Sequence, residues 1–360
     1  MKKIFTFLLV LNIAIAFSQS GAPKSPYYNG FNWTLTGTNL KVALATKIID
    51  THSNYLIYTP DVWNALKQVD LDPSNSSNVL LMYGWENGTD ADITNDHSRN
   101  KDSNSGNNGD WNREHIFAQS LGNPDLGQFE PGADAHMLRA CDVQRNSNRG
   151  NKLYAAGTGN SGDVGNHWYP GDEWKGDVAR IIMYMYLHYG DQCLPTYVAA
   201  GTTTSSDANM VNLLLQWNAE DPVSQYEDNR NDYLGGTPNP NNYKQGNRNP
   251  FIDNPYLATL IWGGPIAQNR WPNTPLSSSA YDLENSISIY PNPSNSILNI
   301  QSVISLEEID LITINGQVIQ QIKNPIFDNN NYSISNLPKG FYFLKLSSNK
   351  TSITKKVFIN

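Results

Sequence analysis

Apolar residues recur at three- and four-residue spacing from Leu40 to Ile49 and again from Pro60 to Val69, where Trp63, Leu66 and Val69 share one face. That spacing predicts two helices, the second opening on a proline. Val79-Leu-Leu-Met-Tyr83 is a short unbroken apolar run and predicts a buried strand. From Glu86 to Asp110 the pattern gives way to Asn, Asp, Gly and Ser, which predicts a long loop. The run from Trp174 to His188 is apolar nearly all round, through Val178, Ile181, Ile182, Met185 and Leu187, and predicts a helix without a solvent face. Met210 to Trp217 and Tyr256 to Trp262 predict further helices, the latter preceded by a structured loop over residues 245–253.

Beyond residue 272 the pattern changes. Pro, Ser and Thr dominate residues 272–279, which predicts a linker, and short alternating segments follow: Ser286 to Tyr290, Ile297 to Ile300, Ile309 to Ile314, Gln317 to Ile322, Tyr332 to Ile334, Gly340 to Leu346 and Ser352 to Ile359. Asn315-Gly316 between two of these runs is a hairpin signal, and the whole predicts a small β-sandwich. At the other end, Lys2 and Lys3 lead an apolar run from Ile4 to Phe17 that closes on Ser18-Gln19, the pattern of a secretory signal peptide. The run is shorter than the ~20 residues of a membrane span, and no later segment is apolar enough to be one. The expected organisation is a signal peptide (1–18), a large α+β domain (19–275), a linker (276–285) and a β-sandwich (286–360).

Composition narrows the setting. Hydrophobic residues make up 39% of the chain and charged residues 16%, with many Tyr, Trp, Asn and Gly, which fits a folded protein working outside the cytosol. Cys141 and Cys193 are the only cysteines, so no disulfide framework is expected, and a single bridge between them is left open. The net charge is −8, and between residues 19 and 276 acidic side chains outnumber basic ones 27 to 17. Within that acidic body the window Arg139, Asp142, Arg145, Arg149, Lys152 runs to +3. Phosphate recognition would therefore depend on a local patch and a bound cation, with little long-range steering. Asp90, Asp92, Asp96 and Asp102 offer oxygen ligands for an additional Ca²⁺, but without EF-hand spacing a plain solvated loop is the favoured reading.

The candidate chemistry lies in Trp111-Asn-Arg-Glu-His115, Asp134-Ala-His-Met-Leu-Arg139 and Asn146-Ser-Asn-Arg149-Gly-Asn151. His115 has an ordinary pKa near ~6.5 and can take a proton from water at neutral pH, and Glu114 offers a carboxylate to a cation. Taken alone, a Glu-His pair is more often a surface pair or a bonded core histidine. Its weight comes from the later segment: residues 134–138 predict a strand, and Asn146 and Arg149, three apart, share a face of the helix that follows. Strand, loop, strand and helix, with His at the end of the first strand and Asn on the helix, is the layout of the ββα-metal nucleases. Neighbouring residues of a regular strand face opposite ways, so Glu114 and His115 can share a site only where the strand ends or bends.

The sequence resembles the endonuclease I family of secreted bacterial nucleases, within the His-Me finger (HNH-like) superfamily. The matching motifs are Trp111-Asn-Arg-Glu-His115, residues 134–151, Lys175-Gly-Asp-Val-Ala-Arg180, Leu215-Gln-Trp-Asn-Ala-Glu-Asp-Pro222 and Gln245-Gly-Asn-Arg-Asn-Pro-Phe-Ile-Asp253, which extend over most of residues 40–265. The resemblance implies a mainly helical nuclease domain around a ββα-metal core, His115 as general base, Glu114 and Asn146 as ligands of one Mg²⁺, with Mn²⁺ or Ca²⁺ as substitutes, and 5′-phosphate products. The family's phosphate-clamping arginine is not found in the loop after His115, and Arg149 is the candidate in its place, with an ion-paired arginine the alternative. Arg113, Arg139 and Arg145 are further substrate-binding candidates, and His136 is read as structural support. Met137 stands where relatives commonly carry Asn. Asp177, Arg180, Arg248 and Asp253 read as a buried polar network.

The tail has a resemblance of its own. Ile289-Tyr-Pro-Asn-Pro293, Asn315-Gly-Gln-Val318, Leu337-Pro-Lys-Gly-Phe-Tyr342 and Lys355-Lys-Val-Phe-Ile359 resemble the C-terminal sorting domain of the type IX secretion pathway. That implies the type IX machinery as a partner and a secreted or cell-surface location; a glycan- or protein-binding Ig-like module is the alternative. The expectation is a monomeric, metal-dependent, sequence-nonspecific endonuclease acting on DNA. An extracellular ribonuclease, or a non-catalytic binding protein on a decayed nuclease scaffold, is the alternative.

Overall fold

Leu40, Leu44 and Ile48 fall four apart and are all buried, so helix α1 (Gly37–Thr51) docks by one stripe. The computed structural model that shows this describes residues 21–274 except 89 and 240, residues 276 and 283, and residues 286–360 except 303, 329, 349 and 350. The expected signal peptide and most of the expected linker lie outside the described residues. Helix α2 (Trp63–Val69) starts later than the sequence pattern, because Tyr58–Val62 is an irregular turn in which Thr59, the residue before Pro60, is extended.

An antiparallel sheet of β1 (Leu71–Asp72), β2 (Asn75–Leu80) and β3 (Ser98–Asn100) follows. β3 lies inside the stretch expected to be a loop. That stretch is ordered by Arg99, whose guanidinium donates to the carbonyls of Ile93 and Asp110 and to the carboxylates of Asp96 and Asp142. Fixed donors do here what apolar burial does elsewhere, which is why hydropathy misses it. Asp96 is thereby paired with Arg99, and Asp102 with Lys67. β2 ends at Leu80, short of the predicted strand, and the chain continues as a bridge: Leu81 N–H donates to His97 and Met82 N–H to Ala140.

Next come β4 (Trp111–His115) and β5 (Leu138–Asp142), paired antiparallel from Trp111↔Asp142 to His115↔Leu138. The strand predicted at residues 134–138 begins only at Leu138. Asp134 closes a turn first, its carboxylate accepting from the His136 amide and its carbonyl from the Met137 amide. Helix α3 (Val143–Arg149) leaves β5 directly, capped by the Asp142 carboxylate on the amides of Gln144 and Arg145.

A two-stranded ribbon, β6 (Gly162–Val164) with β7 (His167–Tyr169), precedes α4 (Lys175–Tyr189), which is buried from Gly176 to Leu187 as its apolar run requires. Four helices complete the unit: α5 (Asn212–Glu220), α6 (Gln225–Leu234), α7 (Pro250–Asp253) and α8 (Tyr256–Trp262). Helix α6 has no apolar stripe. It is held by buried ion pairs instead: Glu227 with Arg180, Asp228 with Arg270 and Arg230 with Asp70. Arg139–Asp177 and Arg248–Asp253 extend this ionic layer. Cys141 and Cys193 are separate buried thiols.

The C-terminal residues form two sheets around their own apolar core. One is ordered β11-β10-β13-β14 (Val318–Lys323, Glu308–Thr313, Gly340–Ser348, Thr351–Ile359) and the other β12-β9-β8 (Asn331–Ile334, Leu298–Ser302, Ile287–Tyr290). Gly316, at φ +83° in the β10–β11 turn, takes the backbone region the Asn-Gly signal anticipates. Among the described residues, no helix is long and apolar enough to cross a membrane.

Candidate active site

Strand β4 alternates as a strand must, and the alternation sorts its side chains. Trp111, Arg113 and His115 turn to the aromatic residues Tyr58 and Trp63: Trp111 packs on Trp63, the Arg113 guanidinium lies 3.5 Å from the Tyr58 ring centre and 4.4 Å from that of Trp63, and His115 stacks on Tyr58. Asn112 and Glu114 turn to α3. Asn112 Oδ1 accepts from Asn146 Nδ2 at 2.8 Å, and Glu114 Oε1 lies 3.3 Å from the Arg149 guanidinium. Because pairing stops at His115, the two faces meet at the strand end, and Glu114, His115, Asn146 and Arg149 line one cleft of about 430 Å³.

His115 and Asn146 each keep one side-chain polar atom without a partner among the described residues, because the other is held from behind. His115 Nε2 lies 3.1 Å from the Gly132 carbonyl, so Nε2 carries the proton and the lone pair sits on Nδ1, which no group among the described residues takes. Burial pushes the ring down to about 4, and the nearby cations Arg113 and Arg149 act in the same direction, so it is neutral at pH 7. Asn146 commits Nδ2 to Asn112 and, at 3.3 Å, to the Arg113 carbonyl, which leaves Oδ1 as the free acceptor. Glu114 Oε1 accepts from the Tyr83 hydroxyl at 2.8 Å, and the His115 backbone amide also donates to this carboxyl group. Burial pushes this carboxyl up to about 7, with Arg149 and Tyr83 pulling the other way.

Residues 36–256 match the family model described as Endonuclease I. The chain belongs to the endonuclease I family. Residues 288–360 match a second model, the secretion system C-terminal sorting domain. The chain is also 41% identical over 282 residues to a protein of Bacillus subtilis (strain 168) called "Extracellular ribonuclease", covering 71% of this chain and 89% of that one. A protein of the same name from Bacillus amyloliquefaciens is 42% identical over 240 residues, covering 63% and 75%. A solved structure titled for PorZ, a surface component of the type-IX secretion system of Porphyromonas gingivalis, aligns at TM-score 0.19 and 13% identity over 24% of this chain and 13% of that one, too slight a likeness to bear on the fold. This endonuclease I family member is a nuclease, secreted or held at the cell surface.

Within this nuclease the arginines depart from expectation. Arg149 is not free to clamp phosphate: it is 1% exposed, and besides Glu114 its guanidinium donates to the carbonyls of His115 (2.8 Å) and Ile116 (3.0 Å) and lies over the Tyr154 ring. It pins the end of β4 and partly neutralises Glu114, the ion-paired alternative. Arg139 is fully buried and paired with Asp177, and Arg145 is committed to Ser161 with its guanidinium against Trp85, so neither presents donors to the cleft. Arg113 alone of the four keeps partial exposure, on its aromatic platform, where it donates to the Tyr58 carbonyl and the Thr59 hydroxyl. His136 is buried away from the cleft, its Nε2 3.0 Å from the Asn247 carbonyl, and Met137 is fully buried in the apolar core.

The rear of the site was not legible in motifs. Tyr83 and Tyr154 share a hydroxyl contact at 2.7 Å, and Tyr154 donates to the Ile116 carbonyl, so two buried phenols brace Glu114 and the strand end together. Tyr83 has φ +72°, unusual for a residue with a bulky side chain. No local sequence signal couples Tyr83 to Glu114 across 31 positions.

Proposed function

We propose that this nuclease hydrolyses phosphodiester bonds with His115 as general base and one Mg²⁺ held by Glu114 and Asn146, in the manner of the His-Me finger superfamily. The observation that carries this reading is the convergence of Glu114, the lone pair of His115 Nδ1 and Asn146 Oδ1 on one cleft, with every other polar atom of His115 and Asn146 already engaged. The donor set fits the ion: a carboxylate and an amide oxygen are hard ligands, and two protein ligands leave positions for water and phosphate. When bound, Mg²⁺ would neutralise the phosphate and the departing 3′ oxygen. His115 Nδ1 takes the proton of the attacking water, while the Gly132 carbonyl steadies the ring at Nε2 as it becomes charged. Attack on phosphorus with loss of the 3′ oxygen leaves 5′-phosphate products.

RNA and DNA both satisfy this chemistry, since it reads the phosphate and the water and not the sugar. Two relatives at 41% and 42% identity that carry the name extracellular ribonuclease support RNA as a substrate alongside the DNA expected from the motifs. Purified protein should cut plasmid DNA and a long RNA with Mg²⁺ and stop with EDTA. His115→Ala should lower the rate by about 10²–10⁴ at unchanged circular dichroism. Full-rate cleavage by that variant would remove the base assignment, and cleavage of only one nucleic acid would remove the sugar-indifferent reading.

A further inference from the structure

Three groups that the reaction does not use converge elsewhere. His52 follows α1, His188 lies in the last turn of α4, and Asp134 sits in the turn before β5; each brings one ligand atom to within 4.8 Å of the others. His52 Nδ1 and His188 Nε2 face each other at 2.8 Å, and the His52 side chain is fully buried. Glu130, from the same loop as Asp134, places Oε1 3.8 Å from His52 Nε2, and that oxygen is buried with no hydrogen-bond partner.

With both Glu130 and Asp134 ionised, the proton inventory of this cluster does not close. Tyr189 has a single hydroxyl proton but lies against two carboxylates, Glu130 Oε2 and Asp134 Oδ2, the latter at 2.8 Å. Tyr184 also donates to Asp134 Oδ2, while the His136 amide and Gln245 Nε2 donate to Oδ1. Gln245 Nε2 also faces His52 Nε2, so His52 carries its proton on Nδ1, shared with His188, and His188 Nδ1 is left buried without a partner. Among the described residues no Lys or Arg pairs with either Glu130 or Asp134. Ionised together, two largely buried carboxylates would lie among neutral donors, a costly arrangement that either a proton on Glu130 or a bound cation relieves.

We propose that His52, His188, Asp134 and Glu130 form a second, structural metal site for a Zn²⁺-class ion. Two imidazoles with two carboxylates suit a borderline divalent ion better than Mg²⁺, which prefers oxygen. Bonds of about 2.0–2.2 Å place tetrahedral ligand atoms about 3.3 Å apart, so binding requires the His52 ring to turn and Gln245 to give way, because His188 faces Nδ1 of that ring while Glu130 and Gln245 face Nε2. The ion ties the ends of α1 and α4 to the loop of residues 130–134. That loop includes Gly132, whose carbonyl holds His115 Nε2, so occupancy would also steady the general base; this consequence alone rests on the function proposed above.

The full chain, stripped with chelator, is titrated with Zn²⁺ against a chromophoric chelator and, separately, with Co²⁺. One equivalent of Zn²⁺ is expected, together with the visible bands of four-coordinate Co²⁺ and a raised melting temperature. Glu130→Gln and His188→Ala should each weaken Zn²⁺ at least tenfold, while Glu114→Gln leaves it within twofold. Should His188→Ala fail to fold, Glu130→Gln, at the edge of the cluster, carries the test. Absence of uptake, uptake unchanged in Glu130→Gln, or uptake lost in Glu114→Gln would each overturn the proposal. Zn²⁺ uptake by a protein that cuts no nucleic acid would overturn the function proposed above and leave this site standing.

Discussion

Glu114 and Arg149 are one unit at the scale of the residue. A carboxyl buried this deeply, with a value of about 7 in the cation-free protein, holds a proton that the unfolded chain, at 4.5, has already released. Native protein therefore binds the extra proton between those values, and Glu114 costs increasing stability as pH rises through that window. A bound cation takes the proton's place. Mg²⁺ affinity should thus fall by up to about tenfold for each pH unit below 7, and Mg²⁺ should raise the melting temperature more at pH 8 than at pH 5. Calorimetric titration across pH checks this, and Glu114→Gln should flatten the dependence. Arg149→Ala removes the buried counter-ion of Glu114 and one donor each from the His115 and Ile116 carbonyls, so urea unfolding should report a loss of about 3–5 kcal/mol. A clamp at the cleft surface would instead have cost activity at unchanged stability.

Among the elements, α3 and β4 show what periodicity conveys and what it omits. Helical spacing put Asn146 and Arg149 on one face, and the structure keeps them there, lining the cleft. It could not say that this face packs against β4, which turns Arg149 from a surface cation into a buried one. Helix α6 is the converse case: it lacks an apolar stripe, yet Ser224-Gln-Tyr-Glu227 is a capping-box signature, and both of its reciprocal bonds form. Ser224→Ala should lower stability by about 1 kcal/mol in urea denaturation, with nuclease activity unchanged at saturating substrate. The β3 segment has no comparable local signature, because its order comes from Arg99 reaching partners far away in sequence.

For the whole molecule, the acidic body and the commitment of Arg139, Arg145 and Arg149 to internal partners leave few cations for phosphate. Cleavage rates at subsaturating substrate should therefore depend weakly on salt, with a log–log slope smaller than about 2 in magnitude. A steeper slope would mean a basic surface supplied by some other part of the chain. The two apolar cores share no residue, in keeping with the change of pattern at the linker. By itself the sequence determined the helices α1, α4 and α8, the alternating strands of the tail, and the presence of Glu114, His115 and Asn146 in a strand-and-helix order, because hydropathy period and motif spacing are local properties. Only the tertiary structure decided which arginines are buried, that β4 ends where its two faces can share a cleft, and that His52, His188, Asp134 and Glu130 meet. Those outcomes depend on which surfaces pack together and which charges lose their water, and neither is written in any short window of the chain.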